Sequence, residues 1–417
     1  MMKILLIITY ICVITFGLGT WLSINSLYTQ LPLLVDILPE SWNFATYMVC
    51  VLQGVCLISI IYAYFASKSS KLKKGNIPAT IILILLNAGA LLMAAFVYPE
   101  TIIIGGEEHS FYLLISIALM SIPCTLSDVI YLPFISRFRN NNLVIAFFLG
   151  MGLSAFVPSL TTFIQGTNVS KNVTEMIVSP DGNLKNITKI VTEEPLFGVQ
   201  QFLIGISILS LLPLLAFVVL LKVHQKEEEL KEKSPDWPHP GITSRYVDNS
   251  LSRGIFLCYL ILVALIGALQ NSIIPSIIPY STSRFGTNIY HIANTLFVMV
   301  NPFFCFLPFI IKIQKFIYHF IIFMTTISAF IVLFIYAYIP KLQKPDDWFS
   351  CTVLYTAIGI LSGFLSWQRA GIGELLRKSS EKSGLFWCGT FIQIGSCTGA
   401  ITMVILTNVF HIFEKNS

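Results

Sequence analysis

The 417-residue sequence has very few charged residues. Only 11% are Asp, Glu, Lys or Arg, whereas 55% are hydrophobic. Soluble domains usually carry about 25% charged residues, so this deficit excludes an ordinary soluble protein. The net charge of +5 indicates no nucleic-acid partner, because in a membrane protein the information lies in where the basic residues are placed. The composition predicts an all-α polytopic membrane protein.

Motifs for catalysis and metal binding are also missing. The sequence contains no H-E-x-x-H, no paired C-x-x-C and no G-x-x-x-x-G-K-[ST] phosphate loop. The nine cysteines fall within or at the edges of hydrophobic segments, so we expect no disulfide framework. No nucleophile and base form a convincing pair. We therefore expect neither an enzyme nor a resident metal or cofactor.

Hydrophobic runs are present in abundance, and eleven of them reach the length of about 20 residues that spans a bilayer. The predicted spans are residues 4–31, 44–66, 78–98, 111–135, 143–165, 197–221, 254–279, 290–311, 316–340, 350–369 and 385–411. A cleaved signal peptide is an alternative for the first run. That run continues well beyond a signal sequence and shows no clear A-x-A cleavage site.

The basic residues predict the orientation. With a cytosolic N-terminus, 19 of the 26 Lys and Arg residues, Arg369 included, fall in cytoplasmic segments, and the positive-inside rule favours this arrangement. Eleven spans then place the C-terminus outside. The three N-x-S/T sequons, at Asn168, Asn172 and Asn186, all lie in the predicted outer loop 166–196, which indicates N-glycosylation there.

A polar segment, residues 222–253, divides the spans into six and five. We interpret residues 1–221 as an N-terminal bundle, 222–253 as a cytosolic linker and 254–417 as a C-terminal bundle, as in transporters with two bundles around a central site. Spans 1 and 7 resemble each other, since each contains glycine, then asparagine, then proline. In span 7 these residues are Gly267, Asn271 and Pro275.

Span 1 carries an unusual polar stripe. Trp21, Asn25, Tyr28 and Pro32 are spaced by four, three and four residues, so they share one face of a helix. Polar groups within a membrane usually face the bundle interior or a water-filled cavity. In the alternative, purely structural interpretation, Asn25 forms a hydrogen bond only with a neighbouring helix, and Trp21 only contributes to helix packing.

Asp128 is the one acidic residue clearly inside a predicted span. An intramembrane carboxylate indicates a functional site by default. The alternative is a hydrogen-bonded Asp that joins two helices. Glu374 lies near a predicted cytosolic span end, where it can reach water.

Several sequence blocks resemble the animal riboflavin (vitamin B2) transporter family. They are Phe16-Gly17-x-Gly19-Thr20-Trp21-x-x-Ile24-Asn25-x-Leu27-Tyr28-x-x-Leu31-Pro32, Leu38-Pro39-Glu40-Ser41-Trp42, Ser127-Asp128-Val129 with Leu132-Pro133-Phe134, Phe147-Phe148-Leu149-Gly150-x-Gly152-Leu153-Ser154-Ala155, Asn271 with Pro275, Tyr290-His291 with Asn301-Pro302, and Ile392-Gln393-Ile394-Gly395-Ser396. The blocks keep the family's order over most of the membrane portion. Two positions depart from it: Gln30 stands where the family commonly has Glu, and Asp128 where it commonly has Asn.

The resemblance implies uptake of riboflavin across the plasma membrane by alternating access, without ATP hydrolysis. Riboflavin is a flat, neutral tricycle with carbonyl and imide edges and a polyol tail, so its site needs aromatic faces and carboxamides. The predicted substrate-binding residues are Trp21, Asn25, Tyr28, Asp128, Gln270, Asn271, Asn301 and Gln393. No basic cluster lies in the predicted spans, which argues against a phosphorylated flavin.

Two alternatives remain open. One is a transporter of another flat neutral heterocycle such as a nucleoside, and the other is a polytopic cell-surface receptor without transport. A receptor would be expected to recognise its ligand through large loops. Loop 166–196, however, is mainly polar and rich in sequons. Besides the small-molecule substrate and membrane lipid, no obligatory protein partner is evident.

Overall fold

A computed structural model describes residues 2–68, 77–135, 138, 142–167, 169–178, 184–233, 251–344, 347–379 and 384–413. The helices are α1 Met2–Leu18, α2 Leu22–Leu34, α3 Phe44–Lys68, α4 Ile77–Val97, α5 Phe111–Ile135, α6 Asn142–Gln165, α7 Val199–Leu209, α8 Leu212–Lys233, α9 Arg253–Ala268, α10 Ile274–Thr282, α11 Thr287–Cys305, α12 Leu307–Ile310, α13 Phe316–Tyr338, α14 Trp348–Ser379 and α15 Gly384–Val404. Short 3-10 turns occupy Ser41–Asn43 and Pro340–Leu342, and π-helices occupy Leu269–Ile273 and Ile405–Val409. Two antiparallel hairpins complete the chain, β1 Ile102–Ile104 with β2 Glu107–His109 and β3 Val169–Val178 with β4 Leu184–Glu193.

The predicted helical membrane fold is confirmed at this level. Among the described residues, eight helices are long and apolar enough to cross a membrane, or nine if the bent pair of α1 and α2 forms one span. α5 is not among these eight; its described segment Phe111–Ser127 is apolar but shorter than the length required to span. Each of the eleven predicted segments overlaps a helix. Their number as spans, the division into six and five, and the positions of the termini stay predictions.

The first predicted span is not one continuous helix. α1 ends at Leu18, α2 begins at Leu22, and the two axes differ by 52°. At the break, the backbone N–H and side-chain hydroxyl of Thr20 both donate to the carbonyl of Gly17, at 3.1 and 2.8 Å. Gly19 lies against Pro213, where a β-carbon would come within 2.6 Å of the proline ring. These tight contacts explain why the chain turns at its glycine-rich segment.

Span 7 is distorted at the corresponding place. Leu269–Ile273 forms a π-helix between α9 and α10, and the N–H of Ile274 donates to the carbonyl of Leu269, five residues earlier. Pro275 has no N–H, so the carbonyl four residues before it cannot receive an α-helical hydrogen bond. Single-turn π-helices relieve such mismatches and are frequent at functional sites. Gln270 and Asn271 both lie in this turn.

Each of the two distorted helices packs closely on a second helix through glycines. A β-carbon on Gly150 of α6 would lie 2.0 Å from the carbonyl oxygen of Ile14 in α1. A β-carbon on Gly395 of α15 would lie 1.9 Å from the carbonyl oxygen of Ala264 in α9. The α1–α6 and α9–α15 pairs therefore use the same backbone-to-backbone packing. This agreement supports the similarity between spans 1 and 7 noted in the sequence.

An aromatic cluster surrounds the C-terminal end of α1. The fully buried ring of Phe16 lies 4.5 Å from that of Tyr131 and stacks on Phe217 at 5.3 Å, measured between ring centroids. Phe134 and Phe147 complete the cluster. α1 is thus anchored immediately before the break, and the break sets the direction in which α2 carries its polar residues.

Candidate functional site

α2 presents a polar stripe between buried apolar residues. Leu22 and Leu27 are fully buried, whereas Trp21, Asn25 and Tyr28 are partly exposed. Trp21 lies in the break, at the N-terminal cap of α2, rather than within a continuous helix as the sequence predicted. The other members of the predicted stripe lie within α2, where Asn25 and Tyr28 are partly exposed and Pro32 is buried.

Asn25 and Tyr28 connect α2 to different helices. The side-chain amide of Asn25 donates to the hydroxyl of Ser154 in α6 at 3.4 Å. That bond is long, so it leaves much of the amide's hydrogen-bonding capacity unused. The backbone carbonyl of Tyr28 accepts a hydrogen bond from the side chain of Asn294 in α11.

A second polar group surrounds the π-helix of span 7. The amide nitrogen of Asn271 donates to the hydroxyl of Ser396 in α15 at 3.0 Å, and Ser396 in turn donates to the carbonyl of Ile392 at 2.8 Å. Gln270 donates to the hydroxyl of Ser366 in α14 at 2.7 Å. In each distorted helix, therefore, an asparagine bonds a serine of the glycine-packed partner helix. Neither serine was among the predicted substrate-binding residues, although both lie in the blocks that resemble the transporter family.

Two carboxamide oxygens in this group are ready to accept a donor. The side-chain oxygens of Gln270 and Gln393 are buried and accept no hydrogen bond from the residues that the structure describes. A buried polar atom without a partner costs free energy, so such atoms need an explanation. Buried acceptors of this kind suit a ligand that offers N–H or O–H donors.

Asn301 belongs to the same region. Its side-chain oxygen accepts a hydrogen bond from the Cys305 thiol at 3.3 Å, one turn further along α11. Asn294, which bonds Tyr28, precedes Asn301 by two turns of the same helix. α11 therefore links the stripe on α2 to the group around the π-helix.

Some predicted site residues fall outside this description. The backbone of Asp128 lies in α5, but its side chain is outside the described part of the chain, as are Asn168 and the side chains of Asn172 and Asn186 on β3 and β4. Their roles stay predictions.

Arg369 lies within α14, and its assignment to a cytoplasmic segment stays a prediction. Span 10 was predicted to end at residue 369, and the helix that contains it, α14, continues to Ser379. A guanidinium nitrogen of Arg369 donates to the side-chain oxygen of Asn271 at 3.4 Å. Beyond Arg369, the apolar residues Ile372 and Leu376 of the same helix are fully buried.

Gln30, one of the two departures from the family's pattern, has a fully buried side chain. Its amide nitrogen donates to the side-chain oxygen of Gln165 at 2.7 Å and to the hydroxyl of Thr162 at 3.2 Å. Gln30 therefore joins α2 to α6, and an amide serves there as both donor and acceptor, since Gln165 returns a bond at 3.3 Å.

Solved structures show which class of protein has this fold. The nucleoside transporter NupG aligns with a TM-score of 0.53 at 14% identity, covering 97% of this chain and 90% of its own. The xylose transporter XylE from E. coli aligns with a TM-score of 0.52 at 11% identity, covering 96% and 97%. The chain therefore shares its fold with these membrane transporters.

Sequence comparison gives the family. The profile described as solute carrier family 52, riboflavin transporter, matches residues 5–239 and 223–415. The chain belongs to this family of transporters, and the resemblance found in the sequence is confirmed. "Riboflavin transporter rft-1" of Caenorhabditis elegans is 30% identical over 433 residues, covering 98% of this chain and 97% of the relative. The human riboflavin transporter member 3 of the same family is 28% identical over 475 residues, covering 97% of each chain. Relatives of this kind are named transporters rather than enzymes.

Proposed function

We propose that this protein takes up riboflavin across the plasma membrane by alternating access of a site between its two helical bundles. Two observations together support the proposal. The chain belongs to the riboflavin transporter family, and two distorted helices carry carboxamide side chains. Asn25 follows the break of span 1, and Asn271 lies in the π-helix of span 7. Together with Trp21 and Tyr28, these amides match a flat neutral ring that has both donor and acceptor edges.

Contacts at the predicted outer side support an alternating mechanism. The ring centroids of Trp42 and Tyr290 are 5.5 Å apart, and the side-chain oxygen of Asn43 accepts a bond from the hydroxyl of Tyr280. A ring nitrogen of His291 lies 3.1 Å from the backbone carbonyl of Thr162. These contacts join the proposed N- and C-terminal bundles around the outer ends of α2, α6, α10 and α11. They must break if the site is to open outward.

The direct test is uptake of radiolabelled riboflavin by cells that express this chain. We expect competition by unlabelled riboflavin and by lumiflavin, which retains the ring. We expect little competition by uridine or by flavin mononucleotide. Uptake no greater than in cells without the protein would contradict the proposed substrate, and strong competition by uridine would favour a nucleoside transporter.

Asn25→Ala and Asn271→Ala should each weaken uptake without reducing the amount of protein at the surface. Loss of one hydrogen bond to a neutral group costs about 0.5 to 1.5 kcal/mol, which corresponds to a roughly two- to tenfold rise in KM. Thr398→Ala is the matched control, because Thr398 is exposed on α15 and its hydroxyl bonds only within that helix. If both Asn variants transported like the control, the proposed site would be wrong.

Glycosylation tests the predicted orientation and cell-surface route. At least one of Asn168, Asn172 and Asn186 should carry a glycan, since all three precede an x-S/T pair in a predicted outer loop. Treatment with a glycosidase should increase gel mobility, and replacing all three residues with Gln should remove that shift. A shift that survives the triple replacement, or a C-terminal tag that is accessible only after permeabilisation, would overturn the topology.

A further inference from the structure

Arg369 provides a positive charge beside the proposed site. Its guanidinium contacts the side-chain oxygen of Asn271 at 3.4 Å and also the thiol of Cys305. It lies near Cys388 of α15 as well. The charge therefore lies where α11, α14, α15 and the π-helix of span 7 meet.

The environment of Arg369 leaves most of its hydrogen-bonding capacity available. A guanidinium has five N–H donors in a planar fork. Within the described residues, the acceptors that it contacts are the Asn271 oxygen and the Cys305 sulfur, and no carboxylate forms a salt bridge with it. Arg369, Asn271, Asn301 and Cys305 are all partly exposed.

The neighbouring asparagine is held in a single orientation. Its nitrogen must donate to Ser396, since the hydroxyl of that serine donates to a backbone carbonyl of its own helix. The Asn271 oxygen consequently faces Arg369. The N–H groups of Arg369 and the side-chain oxygen of Asn271 therefore lie next to each other, as several donors beside one acceptor.

We propose that Arg369 determines specificity by donating two hydrogen bonds to an adjacent pair of acceptors on the ring of riboflavin. The ring has two such pairs, N1 with the C2 carbonyl oxygen and N5 with the C4 carbonyl oxygen. Both pairs match the fork of a guanidinium, which prefers planar bidentate partners. This inference rests on the proposed function. It adds a cationic contact, which the sequence had placed in the cytosol, to a site otherwise made of neutral groups.

The test measures KM for riboflavin, 1-deazariboflavin and 5-deazariboflavin, in which a carbon replaces one ring acceptor. Arg369→Gln should raise KM for riboflavin about tenfold, because a charge-assisted bidentate contact is lost. Arg369→Lys should have a smaller effect, since it keeps the charge but not the fork. For one of the two analogues, Arg369→Gln and Arg369→Lys should each change KM by less than about threefold relative to the wild-type protein. That analogue already lacks the ring nitrogen that would accept a hydrogen bond from Arg369.

KM does not depend on the amount of transporter, so reduced expression cannot imitate this result. Thr352→Ala is the control in α14, because its hydroxyl is exposed and bonds only within the helix. Equal KM changes for all three substrates, or unchanged KM with lower maximal uptake, would make Arg369 purely structural and overturn the inference alone. Absence of riboflavin uptake by the wild-type protein would instead overturn the proposed function, and this inference with it.

Discussion

Cross-linking Cys50 to Cys397 with a short bifunctional thiol reagent is expected to abolish nearly all riboflavin uptake. Cys50 lies in α3 and Cys397 in α15, one in each proposed bundle. The Cys50 thiol contacts the carbonyl of Ala400 at 3.7 Å, and the Cys397 thiol contacts the carbonyl of Gln53 at 3.5 Å. These reciprocal contacts bring the two thiols close together across the interface.

A covalent link there would prevent the movement that alternating access requires. Rocking of one bundle against the other changes distances between facing helices. A disulfide-forming cross-linker makes the block reversible, so uptake should return after reduction with dithiothreitol. A monofunctional thiol reagent of similar size should inhibit much less, because it modifies both cysteines without joining them.

Single replacements identify the cysteines responsible. Cys50→Ser and Cys397→Ser should each transport normally and each resist the bifunctional reagent. Full activity of the wild-type protein after cross-linking of this pair, shown by mass spectrometry of the linked peptides, would mean that α3 and α15 move as one body. The proposed interface between moving halves would then be wrong.

Gly395→Ala is expected to cause the second large effect, a loss of correctly folded protein. The added β-carbon would lie 1.9 Å from the carbonyl oxygen of Ala264, so the backbones of α9 and α15 would have to separate by at least about 1 Å. Overpacking typically costs about 1 to 3 kcal/mol, and here the obstacle is backbone rather than a movable side chain. The same displacement would disturb the bond from Asn271 to Ser396, which lies next to Gly395.

The matched control is Gly389→Ala in the same helix. A β-carbon at Gly389 would have no other atom within 4 Å, and alanine favours helix over glycine by about 0.8 to 1 kcal/mol. Thermal melting of detergent-purified protein should therefore show a fall of several degrees for Gly395→Ala and no fall for Gly389→Ala. Gly150→Ala, at the equivalent contact with Ile14, should behave like Gly395→Ala. Equal stability of all three variants would contradict the proposed packing.

The sequence by itself determined the class of protein and most of the candidate site. Long hydrophobic runs have few folded solutions, because every backbone polar group in a bilayer must be satisfied within the protein. This constraint allows the helical membrane fold to be predicted without knowledge of any contact. Asn25 and Asn271 could be selected for the same reason, since a carboxamide inside an apolar run is costly unless it has a partner or a function.

Only the tertiary structure decided where the helices break and which residues meet. The turn at Thr20 and the π-helix at Gln270 and Asn271 depend on contacts with distant residues such as Pro213 and on the missing N–H of Pro275. The local sequence around Arg369 does not show which residues it meets. Its neighbours Asn271 and Cys305 lie far away in the sequence. Such pairings result from the packing of whole helices, which hydrophobic periodicity does not specify.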